Sequence, residues 1–148
     1  DIARQILRHR SFSFQEFSQR YAVADLGFEL KEARLQDVKN RQNSIVNDNP
    51  ALEAFWQNHQ NAVAKRAEDA YNWAIVNGIA KEQARVLLPE GLTKTRLYMK
   101  GSMRSWLHYI ELRSAHGTQK EHMTIAKECA EIVSEIFPMI WTIKGIEK

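Results

Sequence analysis

A long helical pattern from residue 50 to residue 77 constrains the fold more than any other feature of the sequence. Pro50 suits the first turn of a helix, Asn49 can cap that turn, and Gly78 can end the helix. Apolar residues recur every three or four positions, which is typical of a helix with one buried face. The spacing therefore predicts an amphipathic helix whose aromatic residues pack in the core. The predicted stripe consists of Leu52, Phe55, Trp56, Ala62, Val63, Ala67, Ala70, Tyr71, Ala74 and Ile75.

Shorter patterns on both sides of this helix predict a mostly helical chain with a small sheet. Ser11 to Phe14 alternates small polar and aromatic residues, as a strand does, and Thr93 to Lys100 alternates well enough for another strand. Residues 34–43 are predicted to form a loop or a short helix. The predicted class is therefore α+β, a mostly helical chain with a small antiparallel or mixed sheet. The remaining predicted helices are Ala3 to Leu7, Lys81 to Leu88, Met103 to Ser114 and Gly117 to Phe137.

The last of these helices is expected to hold the only cysteine in the core. A reactive thiol needs exposure and nearby positive charge, so Cys129 on the apolar side is predicted to be inert. One cysteine also excludes an intramolecular disulfide. Pro138 should stop the helix, and Trp141 and the residues after it should form a tail. The predicted buried side consists of Ile125, Ala126, Cys129, Ile132, Val133, Ile136 and Phe137.

Length and composition describe an ordinary globular chain. A chain of 148 residues suits one domain, residues 1–148, with a sizeable core. Apolar residues make up 44% and charged residues 26%, which is the usual balance of a soluble protein. No apolar run approaches the roughly 20 residues of a membrane-spanning helix. We therefore expect no membrane partner and a cytoplasmic location.

The first twenty-one residues carry more polar chemistry than a core needs. Arg8, His9 and Arg10 form an unbroken triplet, and Ser18 follows after seven residues, between Glu16 and Arg20. Guanidinium groups are suited to bidentate phosphate recognition, which predicts a site for a phosphorylated ligand. If the strand continues to residue 21, positions 16, 18 and 20 share one face. The alternative is a solvated helix end with a serine that faces water.

A second polar block lies on the predicted helix from Met103. Arg104, His108 and Leu112 are spaced by one helical turn and share a face, whereas Arg113 lies nine residues from Arg104 and so near the opposite side. Residues of one helix would then contribute to two different sites, or to a site closed by another subunit. The alternative is an amphipathic helix with solvated polar residues. Its buried side would consist of Trp106, Leu107 and Ile110.

Taken together, these motifs resemble the flavin-dependent thymidylate synthases, the thymidylate synthase complementing protein family. The first motif is Arg-His-Arg, seven residues and Ser18, with Gln5 ahead of it and Glu-Phe-Ser-Gln-Arg-Tyr around the serine. Ala-Arg-x-x-Leu-Pro around Arg85 is similar to the stretch before the family's second motif. The block from Arg104 to Gln119 is similar to that second motif. Ser102 departs from it, because many members have asparagine there.

The resemblance implies an enzyme that methylates dUMP reductively to dTMP. Methylenetetrahydrofolate would supply the carbon, FAD would carry the hydride, and NADPH would reduce the flavin. The family is a homotetramer with active sites shared between subunits. Its members carry additional sequence before the Arg-His-Arg triplet, so we expect the sheet to be completed by an N-terminal part that these 148 residues lack.

The resemblance also implies a role for each matching residue. Arg113 would lie against the uracil ring and stabilise negative charge there. Ser18 is the other catalytic candidate, but no base is placed to activate it, so binding is the predicted role. Arg20 and Arg85 would contact the nucleotide phosphate. The flavin or the adjoining folate pocket would be held by Arg8, His9 and Arg10, and the flavin by Arg104, His108 and Leu112. The dUMP site would consist of Gln5, Glu16, Ser18, Arg20, Arg85 and Arg113.

Other chemistries have weaker support in the sequence. There is no glycine-rich phosphate loop, and the histidines show no metal-binding spacing. The strongest rival is a basic helical nucleic-acid-binding domain without catalysis. Its support is the basic triplet, the segment Lys39 to Gln42 and a pI near 9.1. Such a domain would bind less tightly as salt rises and would not bind flavin.

Overall fold

The computed structural model describes residues 1–18 and 27–142, which fall into two compact units. The first unit contains residue 1, the described residues of 15–35, and residues 46–98. The second contains residues 2–14, 36–45 and 99–142. The helices are α1 (Ile2–Ile6), α2 (Pro50–Val76), α3 (Lys81–Ala84), α4 (Met103–Ser114) and α5 (Lys120–Ile136). The strands are β1 (Phe12–Glu16), β2 (Arg34–Gln36), β3 (Ser44–Val46) and β4 (Leu97–Gly101).

The long helix α2 forms with the predicted ends. The side chain of Asn49 accepts hydrogen bonds from the backbone N–H groups of Ala51 and Leu52, at 3.0 and 3.2 Å. After the helix, Gly78 adopts a φ of 76°, which suits a residue without a Cβ. Tyr71 and Ala74 in its C-terminal half form the small core of the first unit with Ala84.

The predicted burial of the N-terminal half of α2 is wrong. Phe55, Val63 and Leu52 are 65%, 52% and 41% exposed. Trp56 is 42% exposed, and its indole N–H donates to the backbone oxygen of Lys31 at 2.8 Å. Periodic apolar residues show that a helix has an apolar face, but they do not show what covers it. No described residue of the first unit encloses these side chains.

The core of the second unit forms where α4 packs on α5. Tyr109 and Ile110 of α4 are buried with Ala126 and Ala130 of α5. Phe12 of β1 adds an aromatic ring, whose centroid lies 5.0 Å from that of Trp106 in an edge-on arrangement. Small residues on α5 allow the two helices to approach closely, while the large aromatic rings fill the space beside them.

The C-terminal part of α5 departs from the predicted burial. Ile132 and Ile136 are 66% and 73% exposed, and Phe137 is 41% exposed. The buried side contains His122 in place of these residues, because the face that packs on α4 runs through the alanines. After Pro138 the chain does not become a tail at once. Instead it forms a 3₁₀ turn, Pro138–Thr142, that buries Ile140 completely.

Two small antiparallel sheets complete the fold. β1 pairs with β4, and β2 pairs with β3. The prediction of a loop or short helix at residues 34–43 is wrong at its start, because β2 occupies Arg34–Gln36 and a turn follows. In this turn the Asp37 carboxylate accepts backbone hydrogen bonds from Lys39 and Asn40. The predicted α+β class, mostly helical with small antiparallel sheets, is confirmed.

Every helix within residues 1–18 and 27–142 is too short or too polar to cross a lipid bilayer.

Candidate functional site

Arg113 and His9 form the centre of a polar cluster in the second unit. Arg113 is in the last turn of α4, and His9 follows α1 by three residues. The Nε–H of Arg113 donates to Nε2 of His9 at 2.9 Å. An imidazole nitrogen that accepts a hydrogen bond carries no proton, so His9 is neutral here with its proton on Nδ1. Both sequence motifs therefore meet in one contact, although 104 residues separate these two side chains.

A second set of contacts extends the cluster to α5. His122 is completely buried, and its Nε2 lies 3.1 Å from the hydroxyl of Tyr109. On the other side of the ring, Nδ1 lies 3.2 Å from Oε1 of Gln5. The amide nitrogen of Gln5 donates to Oε1 of Gln119 at 2.8 Å. Residues from α1, α4 and α5 are thus joined through their side chains.

Burial and positive charge keep the two histidines of the cluster neutral. Burial is the largest cause of the lowered pKa of His9, and the charges of Arg113 and His108 lower it further. The pKa of His122 falls from 6.5 to about 4, mainly through burial and further through the charges of Arg113 and His9. Burial also raises the pKa of Tyr109 above its ordinary value, so its phenol stays protonated. At neutral pH, the guanidinium of Arg113 is the positive charge in a cluster of neutral rings.

The opposite side of α4 carries the three residues predicted to share a face. Arg104 and His108 are exposed, and Leu112 is 46% exposed. Arg113 is half-buried and directed at His9. The helix therefore presents one set of polar residues outward and another inward, as the spacing of nine residues implies. Arg8 and Arg10 are also exposed, on either side of the half-buried His9.

Glu16, Ser18 and Arg85 belong to the first unit. Glu16 ends β1 and accepts a hydrogen bond from the hydroxyl of Thr95 at 3.0 Å. Ser18 is half-buried and lies beyond the strand, which ends earlier than residue 21. Arg20 lies outside the described residues. Arg85 is exposed in the 3₁₀ turn Arg85–Leu87, where its Nε donates to the backbone oxygen of Glu82 at 3.3 Å. The apolar run around Arg85 therefore does not bury its charge.

The structure thus brings together Gln5, His9 and Arg113 from the predicted set. It adds Tyr109 and His122, which sequence reasoning did not assign to the site. One signal could have found His122, because it lies four and eight residues before Ala126 and Ala130 on the buried face of α5. A histidine at such a position must be paired, since a buried polar group without a partner is costly.

Metal binding and thiol chemistry find no support in the described ranges. Within them, no three histidine, cysteine or acidic side chains are grouped so that they could hold a metal ion. Cys129 is half-buried, and burial followed by the charge of Glu128 raises the pKa of its thiol. A protonated thiol is a weak nucleophile, in agreement with the predicted inert role.

Solved structures define the class of fold. A UMP/dUMP methylase from Streptomyces cacaoi, crystallised with 5-Br UMP, matches 99% of this chain and 70% of its own, with a TM-score of 0.85 and 22% sequence identity. The structure of a UMP/dUMP methylase of the same organism with 5-Br dUMP matches 95% of this chain and 66% of its own, with a TM-score of 0.78. At this identity the likeness establishes the architecture alone.

The sequence establishes the family. The family model for thymidylate synthase complementing protein matches residues 1–139. A flavin-dependent thymidylate synthase of Synechocystis is 51% identical over 139 residues, and a probable one of Paramecium bursaria Chlorella virus 1 is 48% identical. This chain therefore belongs to the thymidylate synthase complementing protein family. The match covers 94% of this chain and 64% of each of these two relatives, so the chain spans about two thirds of their length.

Proposed function

We propose that this protein methylates dUMP reductively to dTMP. Methylenetetrahydrofolate supplies the one-carbon unit, and FAD and NADPH supply the reducing equivalents. The observation that carries the proposal is the contact between Arg113 and His9, because it joins the two family motifs in one place. The names of the relatives, flavin-dependent thymidylate synthases, and of the structural neighbours, UMP/dUMP methylases, support the same chemistry.

Arg113 is the residue that we assign to the uracil ring. Methylation at C5 of uracil requires electron density at that carbon, and a fixed positive charge near the ring carbonyls stabilises the density that develops. Only its Nε has a hydrogen-bond partner among the described residues, which leaves the terminal guanidinium nitrogens for the ring. The neutral state of His9 allows this contact, because a protonated imidazole would repel the guanidinium.

The other nucleotide contacts are assigned by family position. Gln5 lies in the cluster with Arg113 and offers an amide to the nucleotide. Glu16 and Ser18 bind dUMP, and Ser18 acts as a binding residue rather than a nucleophile. Arg20 and Arg85 bind the phosphate, and the exposed guanidinium of Arg85 is compatible with that role.

The outer side of α4 suits a flavin. Exposed cationic and imidazole groups at Arg104 and His108 suit a pyrophosphate, and the exposed side chain of Leu112 suits an apolar ring system. Arg8 and Arg10 add exposed guanidinium groups near His9, for the flavin or the folate pocket beside it. The bound flavin supplies hydride chemistry, and these residues bind and orient it.

We further propose a homotetramer with active sites shared between subunits. Exposed apolar side chains on α2, such as Phe55, suit a face that a second subunit would cover, and so, separately, do those on α5, such as Ile136. Arg104 and Arg113 on opposite sides of α4 suit sites completed by different subunits. We place the enzyme in the cytoplasm, with residues 1–148 in one domain.

Product formation tests the proposal directly. Protein mixed with FAD, NADPH, methylenetetrahydrofolate and dUMP should form dTMP, which is measured by chromatography. A chain extended at the N-terminus should be assayed in parallel, because the relatives are longer. Formation of dTMP by either chain supports the proposal. If neither forms dTMP and both bind single-stranded DNA with steep salt dependence, the nucleic-acid alternative replaces it.

A further inference from the structure

We propose that Glu121 fixes the direction of a hydrogen-bond chain through Gln119, Gln5, His122 and Tyr109. The chain makes Glu121, Gln119 and His122 positioning residues that determine which edge of the Gln5 amide faces the nucleotide. This inference rests on the proposed function only in assigning Gln5 to dUMP. The direction of the chain follows from donor and acceptor chemistry alone.

The carboxylate of Glu121 sets the direction at the outer end of the chain. An ionised carboxylate can only accept hydrogen bonds, and Oε2 of Glu121 lies 2.8 Å from Nε2 of Gln119. The amide of Gln119 must therefore direct its nitrogen at Glu121. Its oxygen then faces Gln5, whose Nε2 donates to it at 2.8 Å. The orientation of two side-chain amides is thus determined by one charged group.

The buried rings of His122 and Tyr109 continue the chain in the same direction. With its nitrogen donating to Gln119, Gln5 presents Oε1 to Nδ1 of His122 at 3.2 Å. An amide oxygen only accepts, so Nδ1 carries the proton. Burial keeps the ring neutral, so Nε2 is an acceptor, and the hydroxyl of Tyr109 donates to it at 3.1 Å. His122 is therefore the Nδ1–H tautomer.

The opposite direction is blocked at its outer end. If both amides were reversed, the oxygen of Gln119 would face the carboxylate of Glu121 with no proton between them. Two acceptors in contact repel, and both lose a hydrogen bond. The chain runs from exposed Gln119 to fully buried His122, where solvent cannot replace a missing partner.

A fixed direction matters because the Gln5 amide has hydrogen-bonding groups that the chain does not use. A primary amide has two N–H donors and two acceptor lone pairs, and this chain uses one of each. The second N–H and the second lone pair then occupy fixed positions. Reversal of Gln5 would exchange donor and acceptor at the surface offered to dUMP. A nucleotide group that needs a donor would meet an acceptor instead.

The test replaces the carboxylate with an amide. Glu121→Gln allows both directions, because an amide can donate or accept. Glu135→Gln, on the exposed side of α5, is the matched control. The exchange variant Gln119→Glu with Glu121→Gln moves the carboxylate one step inward, where it still forces Gln5 to donate. A structural role alone would not predict rescue by the exchange.

The readout is nitrogen-15 NMR of the histidine rings, combined with dUMP affinity of the flavin-loaded protein. Wild type, control and exchange variant should show the Nδ1–H tautomer of His122. Glu121→Gln should show a mixture, and its Kd for dUMP should rise about fivefold, the scale of one hydrogen bond.

Three results would overturn the proposal. They are an Nε2–H tautomer in the wild type, an unchanged tautomer in Glu121→Gln, and a changed tautomer with unchanged dUMP affinity. Failure of every protein to bind dUMP, with the tautomers as predicted, would refute the assignment of Gln5 to dUMP and with it the positioning role. The direction of the chain would still hold, so the two failures are distinguishable.

Discussion

Two glutamines, one in each unit, differ in what their amides bind. Gln60 on α2 is 5% exposed, and both ends of its amide bind the backbone of Lys31, with the oxygen accepting at 2.8 Å and the nitrogen donating at 2.7 Å. Gln5 in the second unit is half-buried, and the partners of its side-chain amide among the described residues are the side chains of His122 and Gln119. The first is a structural clamp between a helix and a loop.

The difference indicates which side-chain amide stabilises the fold and which one can contact a ligand. An amide paired with one backbone N–H and one backbone oxygen reproduces the pairing of two peptide groups, so its loss affects stability. An amide paired with polar side chains belongs to a network that can present unused groups to a ligand. We therefore expect changes in the network around Gln5 to alter dUMP binding and changes around Gln60 to alter stability.

The largest expected effect is on catalysis, from Arg113→Ala. Loss of the guanidinium should lower dTMP formation on the order of 100- to 1000-fold, the usual scale for removing a group that stabilises developing charge. Flavin absorbance should be retained, because the flavin residues assigned on α4, Arg104, His108 and Leu112, lie on the other side of that helix. Arg113→Lys is the control that keeps the charge and loses the planar fork. Loss of flavin with unchanged dUMP affinity would contradict the assignment.

The next effect is a pH dependence of stability that depends on His122. Its pKa is about 4 in the folded chain and near 6.5 when unfolded, so the unfolded state binds a proton more readily below pH 6.5. Stability is therefore fully present above pH 6.5 and falls as pH decreases toward 4, by at most about 3 kcal/mol. Urea unfolding from pH 7.5 to 4 should show that His122→Asn flattens this dependence. His59→Asn, at an exposed position of α2, should leave it unchanged.

The third effect is on stability, from the loss of the Gln60 amide. Gln60→Ala should lower the free energy of unfolding by about 1–3 kcal/mol, because it leaves the N–H of Lys31 without its partner. In Gln57→Ala the oxygen of Lys31 keeps its bonds from Trp56 and Gln60, so this variant should cost less. The measurement is urea denaturation. A matching fall in the dUMP affinity of the folded protein would remove the distinction between the two glutamines.

The smallest effect concerns packing beside the site. A Cβ on Gly101 would lie 2.5 Å from Cδ1 of Phe12, so Gly101→Ala must displace the ring and should cost about 1–2 kcal/mol. Gly91→Ala, where no atom lies within 4 Å, is the control and should have little effect. Equal unfolding midpoints for the two variants would show that the ring adjusts freely.

The sequence predicted helices better than their surroundings. The caps and ends of α2 were predictable because Asn49, Pro50 and Gly78 act through local backbone geometry. The exposure of Phe55 and Ile132 was not, since periodicity does not identify the surface that covers a face. The strand at Arg34–Gln36 was missed because a short strand with polar residues lacks the apolar alternation that predicts a strand.

The site shows the same division. The family resemblance singled out Arg113 and His9, and helix geometry separated Arg113 from Arg104. Nothing in the spacing showed that Arg113 donates to His9, because 104 residues separate them. His122 was set aside for lack of metal-binding spacing, although its role follows from its hydrogen bonds to Gln5 and Tyr109. The roles of Glu16, Ser18, Arg20 and Arg85 remain predictions from family position.

The visible absorption spectrum tests the central claim most directly, namely that the protein binds flavin and dUMP at adjacent sites. Protein mixed with FAD should be desalted and titrated with dUMP, with Arg113→Ala measured beside it. We predict retained flavin absorbance in both proteins and a shift with dUMP that is lost in the variant. Retained flavin with no response to dUMP in the wild-type chain, or in one extended at its N-terminus, would contradict the claim.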